Sequence, residues 1–352
     1  MFQRILVPLD GSDRAERAIP VAARIARASG GSIVFVRVIL PPAEFGTYSA
    51  DRSIALEPAA FETHLACATD YLTAVASNYE NELTGITVEM DVVSGAASPT
   101  ILSVARFEQA DLIVLCSHGE TGLKRWVFGS VAQEAVRHSP VPVLVLNEHG
   151  VIPPVPDATH PLRALVASDG SPLSETALEP AAQLIAMLAA PGRGELQLLR
   201  VVDLPSPYGK MRSQAYIDAG IREEARKEAE TYLKAVADRL RKGILADINL
   251  SITTSVATDT NVAETIIRQA EQPAEEGGCS LIAVATRGRS GFRRLLMGSV
   301  TEHILGVTKL PMLIVRPQEK HAEAESETTE KEKEKGRVEV TEDEVQVWVG
   351  LL

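Results

Sequence analysis

The sequence predicts an α/β protein made of two tandem copies of one parallel α/β domain. Strand-like apolar runs alternate with helix-length segments, the whole order is stated twice, and each copy carries a glycine-bearing loop between an apolar strand and a helix. Arg4-Ile-Leu-Val-Pro-Leu-Asp10 runs into Gly11-Ser12, and Arg163-Ala-Leu-Val-Ala-Ser-Asp169 runs into Gly170-Ser171. Each copy closes alike: Cys116-Ser-His-Gly119, nine residues and Gly129-Ser130 in the first, Ala285-Thr-Arg-Gly288, nine residues and Gly298-Ser299 in the second. The offset is 159 residues at Asp10 and Asp169 but 169 at the glycines, so the second copy holds ten extra residues in its middle.

In the first copy, a strand at 5–9 leads to an apolar-periodic helix at 13–28. The run at 32–39 is apolar in successive positions, as in strands covered on both sides. A helix over 58–83, a strand at 87–93, a short helix at 99–108 and a strand at 112–115 follow. After the glycine loop come a helix from Ser130 and a proline-led strand at 141–146. The second copy repeats this order. Its long helix, 213–242, places Ala225, Ala229, Leu233, Val236 and Leu240 on one face and Glu, Arg and Lys on the other.

The chain of 352 residues is long enough for two cores, over 1–147 and 162–317, joined by a proline-rich linker at 148–161. No apolar stretch reaches the roughly 18 residues that cross a bilayer, and the chain opens directly on a strand, so a cytoplasmic location without membrane contact is expected. Three scattered cysteines form no disulfide framework, and no His or Cys spacing suggests a metal. The net charge of −12 argues against a general nucleic-acid binder; residues 319–344 hold eleven acids against five Lys or Arg. That tail, 318–352, reads as disordered. Its apolar end, Val345 to Leu352, is either a frayed terminus or a docking segment for a protein partner.

A strand that ends in a loop and feeds a helix gathers backbone N–H groups at the carboxyl edge of a parallel sheet, where such sheets bind ligands. Gly119, Gly129, Gly288 and Gly298 let an anion approach the backbone, and Ser130 and Ser299 stand where helix N-caps belong. Lys124, Arg125, Arg287, Arg289, Arg293 and Arg294 suit an anionic ligand, although Arg293 and Arg294 also read as plain surface charge. Thr301 adds a hydroxyl where the first copy has Ala132. Asp10 and Asp169 end their strands. Each is placed to accept from a ribose or base, or else to tie down the following turn; because Ser171-Pro172 already explains a helix start, the first role is favoured. Asp259 reads as a turn residue. His118 is either a phosphate-side donor or an exposed loop residue, and its counterpart is Arg287. His138 and His303 default to packing or surface roles. There is no Walker A lysine and no nucleophile elbow, so efficient catalysis is not expected.

These residues resemble the universal stress proteins, as a tandem pair over 1–317. The resemblance rests on Ile5-Leu-Val-Pro-Leu-Asp-Gly-Ser12, on Arg37-Val38 and Arg200-Val201, and on Gly-x9-Gly-Ser in both copies. It implies a Rossmann-like, doubly wound domain of five parallel strands in the order 3-2-1-4-5, two of which pair through their last strands as an intrachain pseudo-dimer, with or without further homodimerisation. It also implies the ATP-binding branch, with ATP, with or without Mg2+, as the bound nucleotide. Asp10, Val38, Asp169 and Val201 would lie near the adenosine. The segments containing Cys116, His118, Gly119, Gly129 and Ser130, and Ala285, Arg287, Gly288, Gly298, Ser299, Val300 and Thr301, would lie along the phosphates. Both copies depart from the full pattern Gly-x-x-Gly-x9-Gly-Ser/Thr, since its first glycine is Cys116 in one and Ala285 in the other. A nucleotide-responsive regulator is the leading expectation, with slow ATP hydrolysis or autophosphorylation as its catalytic limit. A nucleotide-free scaffold is the main rival, and a related adenine-nucleotide hydrolase is disfavoured because Asp10-Gly11-Ser12 is not the loop such an enzyme requires.

Overall fold

Ile5, Leu6 and Val7 are all fully buried, yet Ile5 and Val7 join one apolar cluster while Leu6 joins another. A strand turns successive side chains to opposite faces, so this burial requires cover on both sides. The computed structural model describes residues 2–40, 58–117, 129–147, 152, 161–203, 212–243, 248–273, 277–286 and 297–317. The first half runs β1 (Arg4–Pro8), α1 (Asp13–Glu16), α2 (Ala18–Ser29), β2 (Ser32–Ile39), α3 (Pro58–Asn78), α4 (Glu80–Leu83), β3 (Thr87–Ser94), α5 (Ala97–Phe107), β4 (Leu112–Cys116), α6 (Ser130–His138) and β5 (Val143–Leu146). The second runs β6 (Arg163–Ala167), α7 (Pro172–Glu175), α8 (Leu178–Ala189), β7 (Gly194–Asp203), α9 (Arg212–Lys242), β8 (Leu250–Asp259), α10 (Val262–Ala270), β9 (Leu281–Ala285), α11 (Ser299–Val307) and β10 (Met312–Val315).

One sheet of ten strands holds everything together, in the order β3-β2-β1-β4-β5-β10-β9-β6-β7-β8. Each half is parallel and follows the order 3-2-1-4-5, as the resemblance implied. The halves join by antiparallel pairing of β5 with β10, with Leu144 opposite Leu313. This seam is the internal pseudo-dimer. Both apolar clusters cross it: one contains Ile5, Leu144, Leu313 and Leu198, the other Leu6, Val145, Met312 and Leu199. The two copies therefore share their cores, where the sequence suggested two independent ones. On one face α2 packs on α8 across the seam, and both helices bury alanines, among them Ala22, Ala26, Ala181 and Ala182, small residues that permit close approach. Asn147 adds hydrogen bonds across the seam to the carbonyls of Thr308 and Leu310, at 2.9 and 2.8 Å.

The differences from expectation have local causes. The helix at 13–28 is divided at Arg17, and its counterpart is divided in the same way. Pro20 and Pro180, each third in the following helix, have no N–H to continue the ladder. The strand at 141–146 begins at Val143, because Pro142 offers only its carbonyl, which accepts from Ile113 N at 3.0 Å. The helix over 58–83 divides at Tyr79. The extra residues of the second copy are spread along it: judged by strand register, four lie between β6 and β7, one between β7 and β8, and five between β8 and β9. The helix α9 spans 31 residues against 21 in α3, with Ala229, Leu233, Val236 and Leu240 buried. Of the expected linker, Ile152 is buried in the core and Pro161 is exposed. Its remaining residues, and the tail at 318–352, lie outside the described residues.

Candidate functional site

At the carboxyl edge of each half, three pieces of chain meet: the turn after the first strand, the end of the second strand, and the start of the helix after the glycine loop. The turns are alike in both copies. Ser12 accepts from Ala15 N at 3.2 Å and caps α1, while Ser171 accepts from Ser174 N at 3.2 Å and caps α7. Asp10 Oδ1 accepts from Ser12 N at 3.0 Å and from Ser12 Oγ at 2.6 Å, and Asp169 Oδ1 accepts from Ser171 N at 2.9 Å. The aspartates are thus not left over by the helix start, as Ser171-Pro172 had suggested; one carboxylate oxygen of each holds its turn. Between Asp and Ser, Gly11 and Gly170 adopt φ of +89° and +83°, a region that disfavours any side chain.

The caps of the helices behind the loops lie one residue earlier than expected. Gly129 and Gly298, both extended, are the N-caps, and Ser130 and Ser299 are the first helical residues. Extended glycine before a helix leaves serine with helical backbone angles, so neither hydroxyl caps, and among the described residues no side chain caps either helix. Gly129 N donates to Ser117 O at 2.8 Å and Gly298 N to Thr286 O at 2.7 Å, pinning each helix start to its strand end. The first helical bonds run from Gln133 N to Gly129 O and from Glu302 N to Gly298 O. The N–H groups of Ser130, Val131 and Ala132, and of Ser299, Val300 and Thr301, precede those bonds and have no acceptor within their helices. An anion at either tip gains those donors and the positive end of the helix dipole.

Among the described residues, a Cβ added at Gly298 would meet only Thr286 O, at 3.5 Å, an ordinary contact. With φ of −73° the backbone does not require glycine there either. Beside it, Thr286 is fully buried and its Oγ1 has no hydrogen-bond partner among the described residues. A buried hydroxyl is rarely left so. Thr301 is used differently from expectation: it is buried, and its Oγ1 donates to Ala285 O at 3.0 Å, bracing the helix against the strand. Val300 is exposed and Ala285 buried. Val38 and Val201 are half-buried against the cluster that also contains Ala132, Ala135, Val136, Ile304 and Leu305. They therefore share a sheet face with the two helix starts.

Cys116 ends β4; burial pushes its thiol up to about 12, which makes it a neutral, small core group. Cys279 is also pushed up to about 12 by burial. Asp259 behaves as a turn residue: Oδ1 accepts from Asn261 N at 3.1 Å and Oδ2 pairs with Arg268 at 2.9 Å, which hold its carboxyl well below the usual range. His138 faces Glu134 of its own helix at 3.0 Å. His118, Gly119, Lys124, Arg125, Arg287, Gly288, Arg289, Arg293 and Arg294 lie outside the described residues. No group of three or more His, Cys, Asp or Glu among the described residues can hold a metal ion, and no helix there is long and apolar enough to cross a membrane.

A second cluster escaped the sequence reading. Arg37 stacks on Tyr71, 5.2 Å from the ring centroid, and Arg200 on Tyr232, at 5.3 Å. Tyr71 donates to Glu16 at 3.0 Å and Tyr232 to Glu175 at 2.5 Å. Burial, then the glutamate, raises both phenols, Tyr232 to about 12. The available signal was a tyrosine in the helix after the second strand in both copies, alongside the Arg-Val that ends each second strand.

The model of the universal stress protein family matches residues 1–147 and 162–316. Universal stress protein Rv2623 of Mycobacterium tuberculosis is 28% identical over 327 residues, covering 89% of this chain and 96% of that protein. A universal stress protein of Mycolicibacterium smegmatis is 25% identical over 318 residues, covering 89% and 97%. Among solved structures, a universal stress protein from Archaeoglobus fulgidus superposes with a TM-score of 0.58 at 19% identity, covering 90% of this chain and 97% of that one, a likeness of fold. With the model matching both halves and the relatives spanning the pair, the chain belongs to the universal stress protein family, as a tandem two-domain member.

Proposed function

We propose that the protein is a cytoplasmic, nucleotide-responsive regulator that binds ATP at the carboxyl edge of each half, without efficient catalysis. The observation that carries this reading is the repeated helix start at Gly129-Ser130 and Gly298-Ser299, without a capping side chain among the described residues and pinned in each half beside a strand end. In the second half, a glycine that packing by the described residues does not demand and a Thr286 hydroxyl without a partner among those residues add to it. ATP would supply the anion for these donors, with or without Mg2+. Ser130, Ser299, Val300 and the glycine-loop residues His118, Gly119, Arg287 and Gly288 would face its phosphates. Val38 and Val201 would face the base, and Asp10 and Asp169 the ribose. Thr301 and Ala285 would support the site through their mutual hydrogen bond.

Cys116 favours a partial form of the scaffold reading, since it places a side chain where the second half has only Ala285. Denaturing protein purified without added nucleotide, identifying any released small molecule by mass, and titrating the native protein with ATP calorimetrically decides the matter. One or two equivalents support the proposal and count the working sites. Absence of saturable binding to folded protein with Mg2+ present turns the assignment to a scaffold acting through protein partners.

A further inference from the structure

The Arg-Tyr-Glu cluster occurs in both halves with the same geometry, although most surrounding residues differ between the copies. Arg37 lies next to Val36, which belongs to the cluster beneath α5 and α6, and next to Val38, which packs on that same cluster; strand alternation turns Arg37 to the other face. There it meets Tyr71, which packs on the opposite cluster. The guanidinium reaches the turn after β1 from behind. A Cβ on Gly11 would stand 2.6 Å from Arg37 Nη1, and one on Gly170 would stand 2.9 Å from Arg200 Nη1. Arg37 Nη1 also donates to Leu9 O at 3.5 Å. Tyr71 and Tyr232 anchor the stack, because their phenols are held by Glu16 of α1 and Glu175 of α7, the helices that each turn enters. In the second half, Arg239 of α9 also pairs with Glu175.

The result is a closed ring of contacts: turn, guanidinium, tyrosine, glutamate and back to the turn. Arg200 is 8% exposed, so its stack on Tyr232 and its approach to Gly170 are made inside the protein, where a cation–π contact is strengthened by the loss of water. Among the described residues, the ring acts on the segment that carries Asp10 or Asp169 and takes in neither helix start behind the glycine loops.

We propose that Arg37 and Arg200 are positioning residues for the nucleoside end of the two sites, each stacked on its tyrosine and packed over the turn glycine so that the Asp10 or Asp169 carboxylate is held in register with the strand edge. This rests on the nucleotide-binding reading above. The described starts of α6 and α11 take no part in the ring, so ATP and a phosphate-only ligand together separate a positioning role from general loss of structure.

The test is to titrate the full chain and the single variants Arg37→Met and Arg200→Met with ATP and with inorganic tripolyphosphate, alongside thermal unfolding without ligand. Each variant is expected to weaken ATP about tenfold at one of two sites while tripolyphosphate binding stays within about twofold of the parent. Equal weakening of both ligands, or unchanged ATP affinity, overturns the proposal. If either variant does not fold, Tyr71→Phe or Tyr232→Phe, which keeps the ring and removes only the bond to glutamate, must show the same ATP-only loss, about threefold; no loss there overturns it as well. A parent that binds tripolyphosphate no less tightly than ATP, or neither ligand, defeats the nucleotide reading itself, and the positioning role with it.

Discussion

The two halves share a fold and a seam but have resolved the same edge differently. In the first, β4 ends on Cys116, Ser117 follows, and α6 opens with Ser130, Val131, Ala132 and Gln133. In the second, β9 ends on Ala285, Thr286 follows, and α11 opens with Ser299, Val300, Thr301 and Glu302. The second half thereby gains a brace from Thr301 to Ala285 and keeps on Thr286 a buried hydroxyl that has no partner among the described residues. Charge differs too. Glu302, near the α11 start, pairs with Arg137 from the last turn of α6 at 3.2 Å, whereas the symmetry-related positions are Gln133 and Gly306. Duplication thus preserved the free backbone donors of both helix starts while leaving the side chains around them free to diverge.

The sharpest way to break this comparison is to block each site separately. Gly298→Val places a branched side chain where the anion would sit, at a position whose backbone accepts it. It should weaken nucleotide at the second site at least about a hundredfold, close to 3 kcal/mol, with one equivalent lost and the circular dichroism spectrum unchanged. Gly129→Val should remove the other equivalent. Retention of full stoichiometry in both variants would sink the assignment of these loops.

Next in size is the seam. Leu144→Ala removes a fully buried side chain opposite Leu313 and should cost about 2–5 kcal/mol in urea unfolding. Because both cores run across the seam, the parent should unfold in one transition. Two separated transitions would show that each half is stable alone.

Thr286→Val probes the asymmetry directly. Replacing a buried, unpartnered hydroxyl by an isosteric methyl should raise ligand-free stability by about 1 kcal/mol. Nucleotide affinity at the second site should nevertheless fall severalfold. A stability gain without any affinity loss would detach this hydroxyl from the ligand.

Alkaline titration compares the buried acids of the two halves. Tyr232 is raised from its ordinary value to about 12 by burial and then by Glu175, so the unfolded chain releases that proton first. Its contribution to stability is complete below about pH 10 and is lost as pH rises towards 12. Tyr232→Phe should flatten that part of the pH–stability curve, and an unchanged slope would contradict the burial of the phenol. The smallest effect belongs to Arg137→Ala. Its bridge to Glu302 is partly exposed, so stability should change by less than about 1 kcal/mol, and any change in nucleotide affinity should appear at the second site only.

The amino-acid sequence by itself determined the duplication, the element order, the buried strands and the helix 213–242, because each is written in local periodicity and in residue spacing. The family resemblance supplied the strand order and the pairing of last strands. Tertiary structure alone decided that the two cores are continuous across β5 and β10, since which side chains meet over a seam depends on register and on the packing of α2 against α8. It also decided the roles of particular side chains. Thr301 turned inward to a carbonyl, the aspartates took hold of their own turns, and Tyr71 and Tyr232 came to lie under Arg37 and Arg200 from helices far along the chain. Periodicity can say which face of an element is apolar. Only the packed molecule selects the partner that a polar group on that element finds, because an unpaired polar group in the interior is costly and takes whichever neighbour the fold brings within reach.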